Sequence, residues 1–279
     1  MGKKMMTMLA IGASCMSVLA QESMEEPSTY PEEEVFRNED VVFRQIDEHT
    51  WEGNGHLMFF ESLYLVEGDD KAVLLDAGTE IKDLDEIVAG ITSKPVTLIA
   101  THVHPDHTGK AINDFSEIYL NAADTVNIPT CMPDYKGTIK YLKDGEIIDL
   151  GGRQLEVMFT PGHTPGSTSF MDKEAGYGFS ADAFGSGNLL LFTDFPTLLS
   201  TCKKMDAYIT ENGIKYLYPG HYMGSNKETP QRIKDLITLC EDVLSGKREG
   251  EAVESSSMGL DRAVTDFGVR IVYSQDSLK

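Results

Sequence analysis

The chain has 279 residues, of which 41% are hydrophobic and 25% are charged. These proportions favour a globular protein with a buried core and exclude a disordered or collagen-like polymer. The 45 acidic residues outnumber the 24 basic ones and give a net charge of −21, which disfavours nucleic acid and anionic membranes as partners.

Residues 1–20 have the pattern of a secretory signal peptide. Two lysines precede the apolar run Met5–Met16, and Val18-Leu19-Ala20 follows where a signal peptidase reads small residues. We predict cleavage after Ala20 and a secreted or periplasmic protein. The alternative is an ordinary first helix. A lipoprotein attached through Cys15 is disfavoured because Gly12 stands where a larger aliphatic residue is expected.

The mature chain is expected to have two parts. Residues 21–37 are acidic, contain proline and predict a flexible segment, whereas residues 38–279 predict one domain. Removal of residues 1–20 leaves 22 basic and 45 acidic residues, a charge of −23, and no apolar run long enough to span a bilayer. We expect buried free thiols without a catalytic role at Cys131, Cys202 and Cys240. A single disulfide between two of them is the alternative.

The first half of this domain predicts strands followed by a helix. Short β-prone runs broken by turn residues predict strands over Val41–Ile46, Glu61–Val66 and Lys71–Asp76. Apolar residues at helical spacing predict a helix over 83–91. The continuous apolar run Val96–Ala100 predicts a buried strand.

The second half repeats this order. Strands are expected over Arg153–Phe159, Ser167–Asp172, Tyr177–Ser180, Tyr216–Tyr218 and Val269–Tyr273, and helices over Phe195–Asn212 and Gln231–Leu244. Two similar halves of strands and helices predict an α+β fold. We expect a four-layer αββα sandwich, in which two mixed sheets pack face to face with helices outside.

Three of the seven histidines fall within six residues, in the run Thr101-His102-Val103-His104-Pro105-Asp106-His107-Thr108-Gly109. His102 and His104 are two apart at the end of a strand and can point the same way. Asp106 and His107 lie on the following turn. Imidazole and carboxylate groups are costly to bury without a partner, and this set of ligands suits zinc or iron. His49 and His56 are isolated and are interpreted as ordinary surface or hydrogen-bonded residues.

The run HVHPDHTG resembles the signature of the metallo-β-lactamase fold hydrolases. The other motifs of that superfamily follow in order, and they are Asp76-Ala77-Gly78, Thr160-Pro161-Gly162-His163, Phe179-Ser180-Ala181-Asp182 and Tyr218-Pro219-Gly220-His221. Ala181 departs from the pattern, which usually has glycine there. The resemblance runs from about residue 41 to the closing strand and implies that residues 38–279 are a metallo-β-lactamase-like catalytic domain.

The resemblance implies a dinuclear metal site. One ion would be held by His102, His104 and His163, and a second by Asp106, His107 and His221, with Asp182 bridging the two. Asp106 and Asp182 are the implied catalytic residues. We expect two divalent cations, with zinc as the first choice and iron or manganese as alternatives.

Such a site predicts hydrolysis by a hydroxide that bridges the metals, because metals lower the pKa of bound water from 15.7 to about 7. Asp182 stands where the best-known zinc β-lactamases carry cysteine, so the chain is more similar to glyoxalase II-like and lactonase-like members. We expect a small-molecule ester, lactone, thioester or amide as substrate. The wall of the substrate site is expected at Asn54–Phe60, Met132–Tyr135 and Phe184–Asn188, with Asn188 or Tyr222 as uncertain donors to the oxyanion.

Two alternatives stay open. A mononuclear iron dioxygenase for persulfides resembles the same superfamily but uses fewer of the ligands. A non-catalytic metal-binding module is the other alternative, although such a module would normally lose ligands. The sequence does not predict the oligomeric state or the physiological substrate.

Overall fold

The computed structural model describes residues 30–58, 60–185, 187–254 and 258–279. The predicted signal peptide and residues 21–29 of the predicted flexible segment lie outside the described residues. Within the described residues the chain forms three sheets, and none of their helices is both long and apolar enough to cross a membrane.

The first sheet is mixed, and its strands are paired in chain order. They are β1 (Glu33–Arg37), β2 (Val41–Asp47), β3 (Thr50–Gly55), β4 (Ser62–Glu67), β5 (Ala72–Leu75), β6 (Val96–Ile99), β7 (Glu117–Leu120) and β8 (Thr138–Tyr141). Strands β1 to β5 are antiparallel, and β5 to β8 are parallel.

The second sheet has the order β14-β12-β11-β10-β9, and the third has the order β13-β17-β16-β15. The strands of the second sheet are β9 (Ile147–Asp149), β10 (Gln154–Phe159), β11 (Thr168–Asp172), β12 (Tyr177–Ala181) and β14 (Tyr216–Pro219). Those of the third are β13 (Asn188–Leu191), β15 (Glu251–Ala252), β16 (Arg262–Asp266) and β17 (Val269–Tyr273). The helices are α1 (Leu84–Ile91), α2 (Ile128–Cys131), α3 (Phe195–Asn212) and α4 (Pro230–Leu244).

The alternation of side chains along each strand builds the layers. Leu63 and Leu65 of β4 pack with α1 on the outer face of the first sheet. Tyr64 and Val66 point the other way and pack against the second sheet, for example against Phe170 of β11. Both long helices pack on the far side of the second sheet and also cover one face of the third. The predicted α+β sandwich is therefore confirmed, and the third sheet is an addition to it.

The ends of α3 and α4 follow the chemistry of helix caps. The Asp194 side chain accepts a hydrogen bond from Thr197 N at the start of α3, and Thr229 does the same for Arg232 N at the start of α4. Gly213 ends α3 in the left-handed conformation that glycine adopts without strain. Every helix and strand that the sequence predicts is present, with ends that agree to within one residue.

The sequence predicts a flexible segment over residues 21–37, but residues 33–37 form strand β1. This strand pairs with β2, and Phe36 packs against the core of the first sheet. Glu33 and Glu34 of this strand are exposed, so the acidic composition of the segment does not indicate the strand at the edge of the sheet. The cysteine prediction agrees with the structure, since Cys202 and Cys240 are buried, Cys131 is half-buried and all three are free thiols.

Arg153 of the β9–β10 turn connects the first two sheets. Its Nε donates to Asp172 at 2.7 Å, and its two terminal nitrogens donate to His49 O, Thr50 Oγ1 and Tyr177 OH at 2.9 to 3.0 Å. The Asp172 carboxylate is buried. Removal of the guanidinium would leave this carboxylate without its cation.

We expect Arg153→Met to lower the free energy of unfolding by roughly 3 kcal/mol or more, because an unpaired buried charge is left behind. The matched control is Arg37→Met, which removes the exposed pair with Glu34 and should change stability by at most about 1 kcal/mol. Urea denaturation of the three proteins measures both values. Equal effects of the two substitutions would contradict this interpretation.

Candidate metal centre

The predicted ligands all follow the carboxyl ends of strands. The loop that contains His102 follows β6, His163 follows β10, Asp182 follows β12, and His221 lies two residues beyond β14. Loops at the carboxyl ends of parallel strands are a common place for ligand sites in mixed folds. Because the two sheets pack face to face, these loops come from both sheets and meet at one place.

The seven predicted ligands form two groups in which the candidate donor atoms lie within 4.8 Å of one another. The first group is His102, His104 and His163, and the second is Asp106, His107, Asp182 and His221. These are the two sets that the sequence analysis expects, with Asp182 placed in the second.

Asp182 connects the two groups. Its Oδ2 lies 3.6 Å from Nε2 of His163 in the first group. The same oxygen lies 3.7 Å from Nε2 of His107 and 3.4 Å from Nε2 of His221 in the second. One carboxylate oxygen therefore faces both halves of the site, which is the placement that a bridging ligand requires.

Two histidines are oriented through their second ring nitrogen. His163 Nδ1 lies 2.7 Å from the carbonyl oxygen of Leu190, and His107 Nδ1 lies 2.8 Å from Oδ2 of Asp76. In the neutral ring, an Nδ1 proton that is donated in this way leaves the lone pair on Nε2. Both Nε2 atoms then face the other candidate ligands, as in metal sites where a carbonyl or carboxylate holds the tautomer.

Three buried polar atoms of the site have no hydrogen-bond partner among the described residues, and they are His102 Nε2, His107 Nε2 and Asp182 Oδ1. Native proteins rarely leave such atoms unsatisfied. A divalent cation satisfies imidazole nitrogens and carboxylate oxygens together, and this nitrogen and oxygen set suits zinc, iron or manganese. The residues present thus fit the divalent metals that the sequence analysis expects.

Burial keeps the first group neutral. Desolvation, together with the neighbouring imidazoles, lowers the pKa of His104 to about 3 and places the pKa of His102 well below its usual range. Burial also lowers the pKa of His163. Three neutral imidazoles carry the lone pairs that a metal needs at neutral pH.

In the second group the pKa values of two histidines are raised instead of lowered. Burial alone disfavours the charged ring of His221, but Asp182 and Asp106 outweigh it and raise the pKa of His221 to about 9. Asp106, Asp76 and Asp182 likewise outweigh burial and raise the pKa of His107 well above its usual value. These shifts favour the protonated rings, and a proton on Nε2 must leave before that atom binds a metal.

Asp76 behaves as the structural aspartate that the motif predicts. Its carboxylate accepts hydrogen bonds from Thr101 N at 2.7 Å and Thr101 Oγ1 at 2.8 Å, in addition to its contact with His107. The backbone at Asp76 has a φ of 69°, in the left-handed region. The loop after β5 therefore holds the beginning and the end of the histidine loop after β6.

Asp124 is a positioning residue that the sequence analysis does not identify. Its buried carboxylate accepts hydrogen bonds from Val103 N and Thr164 Oγ1 at 2.8 Å and from Gly166 N at 2.6 Å. Val103 lies between His102 and His104, whereas Thr164 follows His163. One side chain thus connects the two loops that supply the first group of ligands. A lone aspartate carries no sequence signal of this role.

The first sheet also holds the loop that carries His221. Ser62 N donates to Gly220 O at 2.7 Å, and Ser62 Oγ accepts from Tyr222 N at 2.8 Å. Gly220 itself lies so close to the second group that an added Cβ would be 2.2 Å from Asp182 Oδ1. Glycine is therefore required before His221.

A buried carboxyl lies behind the strand that carries Asp182. Ser180 Oγ donates to Glu228 Oε2 at 2.7 Å, and burial raises the pKa of Glu228 to about 8.

Ala181 follows with a φ of 46°, where the superfamily pattern has glycine. An alanine in the left-handed region costs about 1 to 2 kcal/mol, so the turn into Asp182 is strained.

Several residues expected to contact substrate are placed elsewhere. Asn54, Phe60, Met132 and Phe184 are buried in the protein interior and cannot line an open substrate site without movement. Phe59 and Ser186 lie outside the described residues. The Tyr222 hydroxyl lies 2.8 Å from both Glu32 Oε1 and Gly224 O, and these partners remove it from the oxyanion role.

Comparison with known proteins identifies the chain at the level of its superfamily. A sequence-family model described as "Metallo-beta-lactamase superfamily" matches residues 58–113 and 114–221, and this range contains all seven predicted ligands. The chain belongs to the metallo-β-lactamase superfamily. The expectation of a metallo-hydrolase of this superfamily is thereby confirmed.

Two of the similar metallo-β-lactamase superfamily proteins are hydrolases by name. An acyl-coenzyme A thioesterase, MBLAC2 of Gallus gallus, is 26% identical over 209 positions that cover 59% of this chain and 75% of the relative. The hydroxyacylglutathione hydrolase GloC of Haemophilus influenzae is 27% identical over 171 positions, which cover 52% of this chain and 78% of the relative.

A solved metallo-β-lactamase from Pontibacter korlensis has the same fold. It superposes with a TM-score of 0.59 at 17% identity, and the match covers 73% of this chain and all of that protein. At this identity the likeness establishes the fold alone.

We expect Asp124→Ala to weaken zinc binding by roughly tenfold or more, since groups that orient metal ligands typically contribute this much. The Val103 and Gly166 amides would lose their acceptor, and the two histidine loops would no longer share an anchor. Competition with a chromogenic chelator measures the Kd. Asp85→Asn, an exposed aspartate of α1, is the control and should bind zinc like the wild type. Unchanged affinity in Asp124→Ala would refute the positioning role.

Metal uptake at the second group should release protons at pH 7, whereas uptake at the first group should release few. The reason is that the pKa of His221 is raised to about 9 while that of His104 is lowered to about 3. Affinity at the second group should therefore increase as the pH approaches 9. Calorimetric titration of zinc in buffers with different ionisation enthalpies counts the protons for each equivalent. Equal release at both steps would contradict this assignment.

Proposed function

We propose that this protein is an exported, dinuclear, metal-dependent hydrolase of small-molecule acyl compounds, with thioesters as the first substrate class. Both relatives described above are named as hydrolases of acyl groups carried on sulfur. Esters, lactones and amides remain within the same chemistry. Export rests on the pattern of residues 1–20 alone.

The observation that carries the proposal is the position of Asp182 between two groups of ligands. Its Oδ2 lies 3.4 to 3.7 Å from Nε2 of His163, His107 and His221, and unsatisfied nitrogens lie in both groups. His102, His104 and His163 would hold one divalent ion. Asp106, His107 and His221 would hold the other, and Asp182 would contact both.

Divalent ions held by these residues would lower the pKa of bound water from 15.7 to about 7 and would polarise the carbonyl of the substrate. The side chains of this protein would hold the metal ligands in place and supply carboxylates near the attacking water. Asp106 Oδ2 lies 3.5 Å from His221 Nε2, so Asp106 and Asp182 place two carboxylates where a proton from the attacking water can be accepted. Addition of water to a thioester and cleavage of the C–S bond yield a carboxylic acid and a thiol.

The three cysteines among the described residues do not offer a competing nucleophile. Burial raises the pKa of Cys131 to about 11 and that of Cys240 to about 12, and it places the pKa of Cys202 well above its usual value. A thiol that stays protonated at neutral pH is a poor nucleophile. Hydrolysis by activated water is therefore the chemistry that these residues support.

The test is hydrolysis of S-acetyl-N-acetylcysteamine by zinc-loaded protein, followed through the released thiol. We expect Asp182→Asn to lower kcat/KM by roughly 100-fold or more, because the substitution keeps the shape of the side chain but removes the shared anionic ligand. The control is His49→Ala. His49 is exposed and lies 3.3 Å from Glu67, so its removal should leave activity unchanged.

Elemental analysis of the same samples separates the alternatives. Two zinc-like ions per chain and Asp182-dependent hydrolysis support the proposal. One iron per chain with oxygen uptake on a persulfide would favour the dioxygenase. Bound metal with neither reaction would favour a non-catalytic module, and thermal unfolding of Asp182→Asn checks that the variant folds.

A further inference from the structure

The third sheet is joined directly to the loop that carries His163. Along one edge β13 pairs with β17 in parallel. Strand β13 and the residues that follow it also form hydrogen bonds with the His163 loop. Leu190 O lies 2.7 Å from His163 Nδ1, and Phe192 N donates to His163 O at 3.1 Å. Thr193 Oγ1 donates to Gly162 O at 2.8 Å. The first group of ligands therefore lies against this sheet.

The aromatic ring of Phe192 packs on two of the predicted metal ligands. Its centroid lies 5.3 Å from that of His104 and 5.6 Å from that of His163, with the rings near perpendicular. Phe192 is only partly buried. The side chain thus presents apolar surface next to the first group of ligands.

Phe192 continues into an apolar cluster on the third sheet. The cluster consists of buried Leu260, Ala263 and Val272 with the partly exposed residues Leu190, Phe192 and Val253. Strand alternation separates it from the main core, because Leu189 and Leu191 point toward α3 and α4 while Leu190 points to the other face. Apolar side chains therefore extend from the metal ligands across this face of the sheet, and the partly exposed ones are Leu190, Phe192 and Val253.

Part of this cluster lies outside the range that matches the superfamily. The match ends at residue 221 and includes Leu190 and Phe192. The other four members lie beyond it, and they are Val253, Leu260, Ala263 and Val272. The cluster lies beside a site whose predicted reaction acts on an acyl carbon.

We propose that Phe192, with Leu190 and Val253, forms the subsite for the acyl chain of the substrate and selects longer apolar acyl groups over acetyl. This inference rests on the proposed function, since it concerns the acyl part of the same substrate. An aliphatic chain placed there loses contact with water over each methylene, so the preference should grow with chain length.

The experiment compares acetyl and octanoyl thioesters of N-acetylcysteamine as substrates of zinc-loaded protein. The wild type should prefer octanoyl. Phe192→Ala should lower the ratio of octanoyl to acetyl kcat/KM by roughly tenfold, the usual range for the loss of apolar contacts in a pocket. Phe192→Leu, which keeps apolar bulk, should retain most of the ratio. The matched control is Phe267→Ala, an exposed phenylalanine of the β16–β17 turn, which should not change it.

A second measurement does not depend on turnover. Calorimetry with the thioether S-octyl-N-acetylcysteamine, which has no scissile carbonyl, should detect binding to the wild type and roughly tenfold weaker binding to Phe192→Ala. Phe192-dependent binding without any hydrolysis would support the subsite and reject the proposed function. Hydrolysis with an unchanged octanoyl to acetyl ratio in Phe192→Ala would overturn the subsite and leave the function standing. If Phe192→Ala loses zinc or thermal stability, the other two variants decide. An octanoyl to acetyl ratio that is unchanged in Phe192→Leu but lowered in Val253→Ser would support the subsite. A ratio that is unchanged in both variants would overturn it.

Discussion

The burial of five imidazoles and two carboxylates in one place is the constraint on which the rest of the structure depends. Such groups are unfavourable in the protein interior unless a partner satisfies them. The seven side chains are largely buried, and three of their atoms have no hydrogen-bond partner among the described residues. The pair of divalent cations proposed above would resolve the conflict. The arrangement would then be costly without metal, and the free energy of metal binding would become part of the free energy of folding.

Anchors that cross between loops and sheets keep these groups in register. Asp76 joins the loops after β5 and β6, Asp124 joins the histidine loop to the loop after β10, and Ser62 joins the first sheet to the loop after β14. None of the three belongs to the predicted ligand set. Their bonds explain how ligands spread over more than a hundred residues can share one site while each loop remains irregular.

The sequence predicts four of the seven ligands because His102, His104, Asp106 and His107 fall within six residues, and the apolar periodicity that gives strands and helices is strong around them. The other three stand alone in the sequence and are implied only by the resemblance to the superfamily motifs, and they are His163, Asp182 and His221. Among the anchors, Asp76 lies in a motif of the resemblance, but the others are not predictable from the sequence. Asp124 and Leu190 act through backbone and hydroxyl contacts that exist only when two distant loops meet. Strand β1 was missed for another reason, since an edge strand buries little and its acidic residues face water.

The pairing of β13 with β17 links the orientation of one predicted ligand to the last part of the chain. His163 Nδ1 contacts a carbonyl oxygen of β13, and β13 pairs with β17, which follows all seven predicted ligands in sequence. The orientation of the His163 ring therefore depends on a strand that lies outside the range of the chain that supplies the ligands.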